Sequence, residues 1–124
     1  MADIFVIDDD KVMVEFLANI LEDNGDNVRF ALDGQTGLDQ IVTDIPDLVI
    51  LDMNLPGMDG YCVAERLRRE SATQKLPIIA VTALDSAADY DAAYRAGCSA
   101  FISKPVNADH LVEVVRGFNL MGGG

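Results

Sequence analysis

Three aspartates in a row, Asp8-Asp9-Asp10, a lone Asp52, a Thr82 and a Lys104-Pro105 pair each stand directly after, or close after, a short apolar run. Brought to one place, these groups would set several carboxylates beside one hydroxyl and one ammonium. Carboxylates held that close repel one another and raise each other's pKa unless a cation sits among them. A hard divalent ion resolves the conflict. Mg²⁺ in particular takes oxygen ligands from one or two carboxylates, waters and a phosphate. A carboxylate left free to react can attack phosphorus and form an acyl phosphate, whose oxygens Lys104 and the Thr82 hydroxyl could then hold.

That chemistry requires elements which bring the groups together. The apolar runs Ile4 to Ile7, Val28 to Ala31, Leu48 to Leu51, Ile78 to Val81 and Ala100 to Ile102 are short and bounded by polar residues. They read as five buried strands. Between them the spacing becomes helical: Val12, Phe16 and Ile20 with Met13, Leu17 and Leu21; then Leu38, Ile41, Val42 and Ile45; then Leu111, Val114, Val115 and Phe118. Gly60 to Arg69 and Ser86 to Ala96 complete the alternation, the latter with only a thin stripe of Tyr90, Ala93 and Tyr94 and so the loosest packing. Gly25 and Gly97 fall where helices would end in a left-handed cap; Asp10, Asp59 and Asn107 fall where helices would begin. Five βα units cannot close an eight-stranded barrel. They give an α/β fold with an open parallel sheet and helices on both faces, and in such a sheet ligands bind beyond the carboxyl ends of the strands.

Composition narrows the function. The 124 residues, half of them apolar, suit one domain, expected over residues 1–120 with a flexible Gly-rich tail at 121–124. A formal charge of -12 argues against direct contact with nucleic acid, and the absence of a long apolar run or leader argues for a cytoplasmic protein with no membrane insertion. Cys62 and Cys98 have no zinc-type spacing and read as core residues in a reducing compartment. One histidine, His110, and no nucleophile elbow or Gly-rich nucleotide loop leave no hydrolase triad and no nucleotide site.

The segments IFVIDDD, LVILDMNLPGMDG, IIAVTA and FISKP, in this order and spacing, resemble the receiver domain of bacterial two-component systems over residues 3 to 118. The resemblance implies a three-layer flavodoxin-like fold with strand order 2-1-3-4-5. It implies that Asp52 is the phosphoacceptor and that Mg²⁺ or Mn²⁺ is held by Asp8, Asp9, Asp52 and the backbone carbonyl of Asn54, with Asp9 the more direct of the acidic pair. Thr82 and Lys104 become the phosphate-contacting residues, Phe101 the aromatic switch that moves inward with Thr82, and Lys104-Pro105 a cis bond. Leu84 takes the position that tunes hydrolysis of the acyl phosphate. The implied partners are a sensor histidine kinase or histidine phosphotransfer protein upstream and a protein target downstream.

Two other functions are compatible with parts of this pattern. An aspartate-nucleophile phosphohydrolase would want an acid two residues after Asp52, where this chain has Asn54. A pseudo-receiver that binds a partner without phosphorylation would be expected to lack one of the reactive residues. A stand-alone receiver and a piece of a longer regulator would read alike.

Overall fold

In a computed structural model of the chain, residues 1–118 are described. The expected tail at 121–124 lies outside them. The chain alternates strictly: β1 (Asp3–Ile7), α1 (Lys11–Asp23), β2 (Asn27–Ala31), α2 (Gly34–Thr43), β3 (Leu48–Asp52), α3 (Gly60–Arg69), β4 (Ile78–Thr82), α4 (Ala87–Ala96), β5 (Ala100–Ser103) and α5 (Ala108–Arg116). All neighbouring strands pair in parallel, in the order β2-β1-β3-β4-β5.

Each helix starts where a short polar side chain takes up a free backbone N–H of its first turn. Asp10 accepts from Val12 and Met13, Asp33 from Thr36, Asp59 from Cys62, Ser86 from Asp89 and Asn107 from His110. Ser86 and Asp89 bond reciprocally in a capping box. A cap of this kind contributes about 1 kcal/mol. Asp10 is therefore committed to α1, and Gly97 closes α4 in the left-handed conformation at φ 113°.

Side chains alternate across each strand, so the sheet carries a core on both faces. Phe5, Ile7, Val49 and Leu51 pack with Ile41, Val63, Leu67 and Ala93 beneath α2, α3 and α4. Ile4, Val6, Leu48 and Ile50 pack with Val14, Leu17, Leu21, Leu111 and Val115 beneath α1 and α5. The central strands β3 and β4 are buried throughout.

The edge strands depart from the sequence expectation of five buried strands. In β2, Asn27 and Phe30 are exposed and only Ala31 is buried, because β2 has a neighbour on one side only. The helical stripes are also narrower than the spacing implies. Val12 is 74 % exposed and Phe16, Val42 and Ile45 are exposed too; α1 buries the turn-related set Val14, Leu17 and Leu21 instead, and Ile45 lies beyond the end of α2. The face that α4 buries consists of two alanines, Ala93 and Ala96.

Arg68 ties the far ends of three elements together. Its guanidinium donates to the Gly97 carbonyl at 2.9 Å, to the Thr73 carbonyl at 3.1 Å and to Ser99 Oγ at 3.4 Å. Burial pushes the neighbouring Cys98 thiol up to about 11, against the pull of Arg68. Cys98 is buried, whereas Cys62 is only half-buried. At pH 8 a disulfide thiol reagent should therefore titrate Cys62 in the native protein and Cys98 only on unfolding. Two equivalents reacting at one fast rate would contradict this packing.

Candidate functional site at the carboxyl edge of the sheet

Strand register decides which residues share the edge. Ile7 pairs with Ala31 and Leu51, Asp52 with Val81, and Thr82 with Ser103. The residues at and just beyond these rungs, Asp8, Asp52, Thr82 and Lys104, therefore emerge together.

Asp8 and Asp52 are held by the same device. Each folds one carboxylate oxygen back onto the backbone N–H two residues later: Asp8 Oδ1 accepts from Asp10 at 2.9 Å and Asp52 Oδ1 from Asn54 at 3.0 Å. The other oxygen of each faces Lys104, whose Nζ lies 3.4 Å from Asp8 Oδ2 and 3.4 Å from Asp52 Oδ2. These separations exceed the 2.7–2.9 Å usual for a charge-assisted bond, so one ammonium is shared between two carboxylates and pairs tightly with neither. Asp8 is 2 % and Asp52 5 % exposed, while the Lys104 side chain keeps 22 %.

Burial raises the pKa of Asp8, and the nearby charge of Asp52 adds to it, against the Asp10 N–H and Lys104. Burial depresses the Lys104 ammonium, but the charges of Asp52 and Asp8 outweigh it and the net shift is upward. Asp9, exposed, completes the group: oxygens of Asp8, Asp9 and Asp52 lie within 4.8 Å of one another. Three carboxylates against one ammonium leave an excess of two negative charges, which a divalent ion on hard oxygen donors would cancel. The donor set thus fits Mg²⁺ or Mn²⁺.

Thr82 is buried, and its Oγ1 accepts from the Leu84 N–H at 3.2 Å. The Lys104 N–H donates to the Thr82 carbonyl at 2.8 Å, which locks β5 to β4 beside the site. The Lys104-Pro105 bond is cis, as the resemblance implies. Phe101 lies two residues before Ser103 and is partly buried against the core under α4.

Two features of this edge are absent from the sequence reading. Gly60 opens α3 directly under the end of β3, and a Cβ there would stand 2.5 Å from the Asp52 carbonyl oxygen and 2.6 Å from Met53 Cα. The only sign of this in the sequence is a poor helix former placed just after a cap. The second is the contact of Tyr90 with Phe101, at 4.1 Å between ring centroids.

The family model for the response regulator receiver domain matches residues 4–116. The chain belongs to this family. The receiver domain is 36% identical over 115 residues to the response regulator PleD of Caulobacter vibrioides, covering 93% of this chain and 25% of that protein. It is 34% identical over 116 residues to RpaA of Synechocystis sp., covering 94% of this chain and 48% of a protein described as a DNA-binding dual master transcriptional regulator. A crystal structure of a putative response regulator from Chloroflexus aurantiacus superposes with a TM-score of 0.91 at 34% identity, covering 94% of this chain and 96% of that one. The chain spans between a quarter and a half of the two curated relatives, so the acidity of the receiver domain does not exclude nucleic-acid contact by a longer protein. Among the described residues, no helix is long and apolar enough to cross a membrane.

Proposed function

We propose that the receiver domain is a phosphorylation switch in which Asp52 accepts a phosphoryl group from a histidine kinase or histidine phosphotransfer protein. The observation that carries this is the state of the Asp52 carboxylate. One oxygen is fixed by the Asn54 N–H, and the other is turned toward the only ammonium at this edge among the described residues. Attack by that second oxygen forms a carboxylate oxygen–phosphorus bond as the bond from phosphorus to the donor breaks; the leaving group departs with its electron pair. The product is an acyl phosphate with added negative charge beside Lys104.

Lys104 then pairs with a phosphoryl oxygen, and Thr82 rotates its hydroxyl away from the Leu84 N–H to donate to another. Asp8, Asp9, Asp52 and the Asn54 carbonyl would hold Mg²⁺ or Mn²⁺, which when bound supplies positive charge against the carboxylates and the incoming phosphoryl oxygens. The displacement of Thr82, with Phe101 beside it, alters the surface formed by α4 and β5, and a protein target reads the change. The domain acts in the cytoplasm, and its product is an altered contact rather than a released molecule.

Incubation with Mg²⁺ and a small acyl phosphate should label the protein at one site per chain, and Asp52→Asn should abolish the label. Continuous turnover of the donor would instead support a phosphohydrolase, and no label would support a binding module. Leu84 is 54% exposed and apolar, and offers no polar group to an attacking water. Leu84→Glu is expected to speed loss of the label severalfold; an unchanged rate would count against a role at this position.

A further inference from the structure

Phe101 pairs with Ala80, two rungs before Thr82 pairs with Ser103. Residues two apart along a strand share a face, so Phe101 and Thr82 lie on the same side of the sheet. This is the side covered by α3 and α4, for Phe101 packs against the core that contains Ala80, Ala93 and Ala96. The residue paired with Phe101, Ala80, and both residues that α4 buries, Ala93 and Ala96, have small side chains.

Tyr90 reaches from the first half of α4 onto the Phe101 ring, with centroids 4.1 Å apart and planes tilted by 41°. Tyr90 itself remains 38% exposed. The pair joins α4 to β5, and the Thr82 hydroxyl is at the same time engaged by the Leu84 N–H. The arrangement is that of a domain whose Thr82 has not turned to a phosphoryl group.

We propose that Tyr90 is a positioning residue for the switch: set against Phe101, it holds that ring in the partly buried place it occupies here until Asp52 is phosphorylated. The proposal rests on the phosphoacceptor reading of Asp52. A contact made in the resting arrangement and lost in the other biases the equilibrium toward rest, and its removal raises the fraction of chains already arranged to accept phosphate. Aromatic side chains in contact add stability beyond the area they bury. An ordinary exposed tyrosine that merely shields a core residue would give no such bias.

The test uses the whole chain with Mg²⁺ and a small acyl phosphate, and reads the initial rate of labelling together with the ring resonances of labelled Phe101. Tyr90→Ala should take up label about two- to tenfold faster than the parent. Alanine favours the helix, so α4 itself is not weakened by the change. In the unphosphorylated Tyr90→Ala protein the Phe101 resonances should already lie part-way toward the positions they take in the parent with Mg²⁺ and beryllium fluoride, a phosphoryl mimic. Tyr90→Phe should restore the parent rate and resonances, and Tyr94→Ala, on the same helix without the ring contact, should leave both unchanged. An unaltered rate and unaltered resonances in Tyr90→Ala overturn the proposal, as does a Tyr90→Phe protein that behaves like Tyr90→Ala. If the parent chain takes no label, the reading of Asp52 falls and this proposal falls with it; label in the parent with no effect of Tyr90→Ala removes the proposal alone.

Discussion

Lys104→Met, measured by urea unfolding without metal, is expected to destabilise the receiver domain by about 2 kcal/mol. Removing one partner of a buried ion pair costs about 3–5 kcal/mol, and the lower figure reflects the partial exposure of the lysine. The loss arises because Asp8 and Asp52 are left facing each other with no cation between them. In an Asp8→Asn background, where one of the two charges is already gone, the same substitution should cost less than half as much. Equal costs in the two backgrounds would show that the ammonium and Asp8 do not interact. The same variant should label poorly with an acyl phosphate, since no cation remains to meet the phosphoryl oxygens.

The pH dependence follows from the same trio. The pKa of Asp8 is raised in the fold, first by burial and then by Asp52, so the folded state holds its proton more tightly than the unfolded chain does. Its contribution to stability is present below the ordinary carboxylate range and is lost as the pH rises through the raised value. Lys104 is also raised, because the attraction of Asp52 and Asp8 exceeds the opposing effect of burial. Its contribution is present below the ordinary lysine range and is lost above it, and Lys104→Met should abolish this alkaline loss. At neutral pH, Mg²⁺ at about a hundred times its dissociation constant should add about 2.7 kcal/mol to the metal-free protein. Asp9→Ala, which alters an exposed donor, should remove most of that gain.

Gly60→Ala is expected to destabilise the fold by about 2–3 kcal/mol although alanine is the better helix former. The added methyl would meet the Asp52 carbonyl oxygen and Met53 Cα, both backbone atoms that no rotamer change can move aside. Relief requires α3 to retreat from the end of β3, which carries Asp52 and the Asn54 N–H with it. Labelling should slow in parallel. Gly57→Ala, in the loop before α3, supplies the contrast: nothing lies within 4 Å of its Cβ position, but its φ of +73° is left-handed. That change should cost about 1–2 kcal/mol with less effect on labelling. If Gly60→Ala proved as stable as the parent, the close approach would not constrain the loop.

The strand ends were the legible part of this protein. A short apolar run that stops at a carboxylate, a threonine or a lysine shows both the strand and the group it delivers, and the caps at Asp10, Asp59 and Asn107 are local enough to be read from neighbours in the chain. Properties set by distant partners were not legible. Asp8 and Asp9 are chemically identical neighbours, yet one is buried against Lys104 and the other is exposed, a difference made by strand direction and by a lysine 96 residues away. Val12 and Phe16 carry a helical stripe in sequence but sit at the rim of α1, beside Pro105 and Val106. The role of Gly60 depends on the backbone of β3, and the Tyr90–Phe101 contact depends on how α4 crosses β5; neither leaves a mark in local spacing.

The guanidinium of Arg68 gives α4 unequal ends. At its last turn the helix is fastened through the Gly97 carbonyl to a side chain that also grips Thr73 and Ser99, whereas its first turn is held by its own Ser86–Asp89 bonds. Ten residues of helix make a rod of about 15 Å. Over that length, a pivot about Gly97 would turn 1 Å of travel at the Ser86 end into a swing of about 4°. The end of α4 pinned by Arg68 is therefore the one farther from Asp52 and Thr82, and the end that follows β4, nearer those residues, is the one held by its own cap.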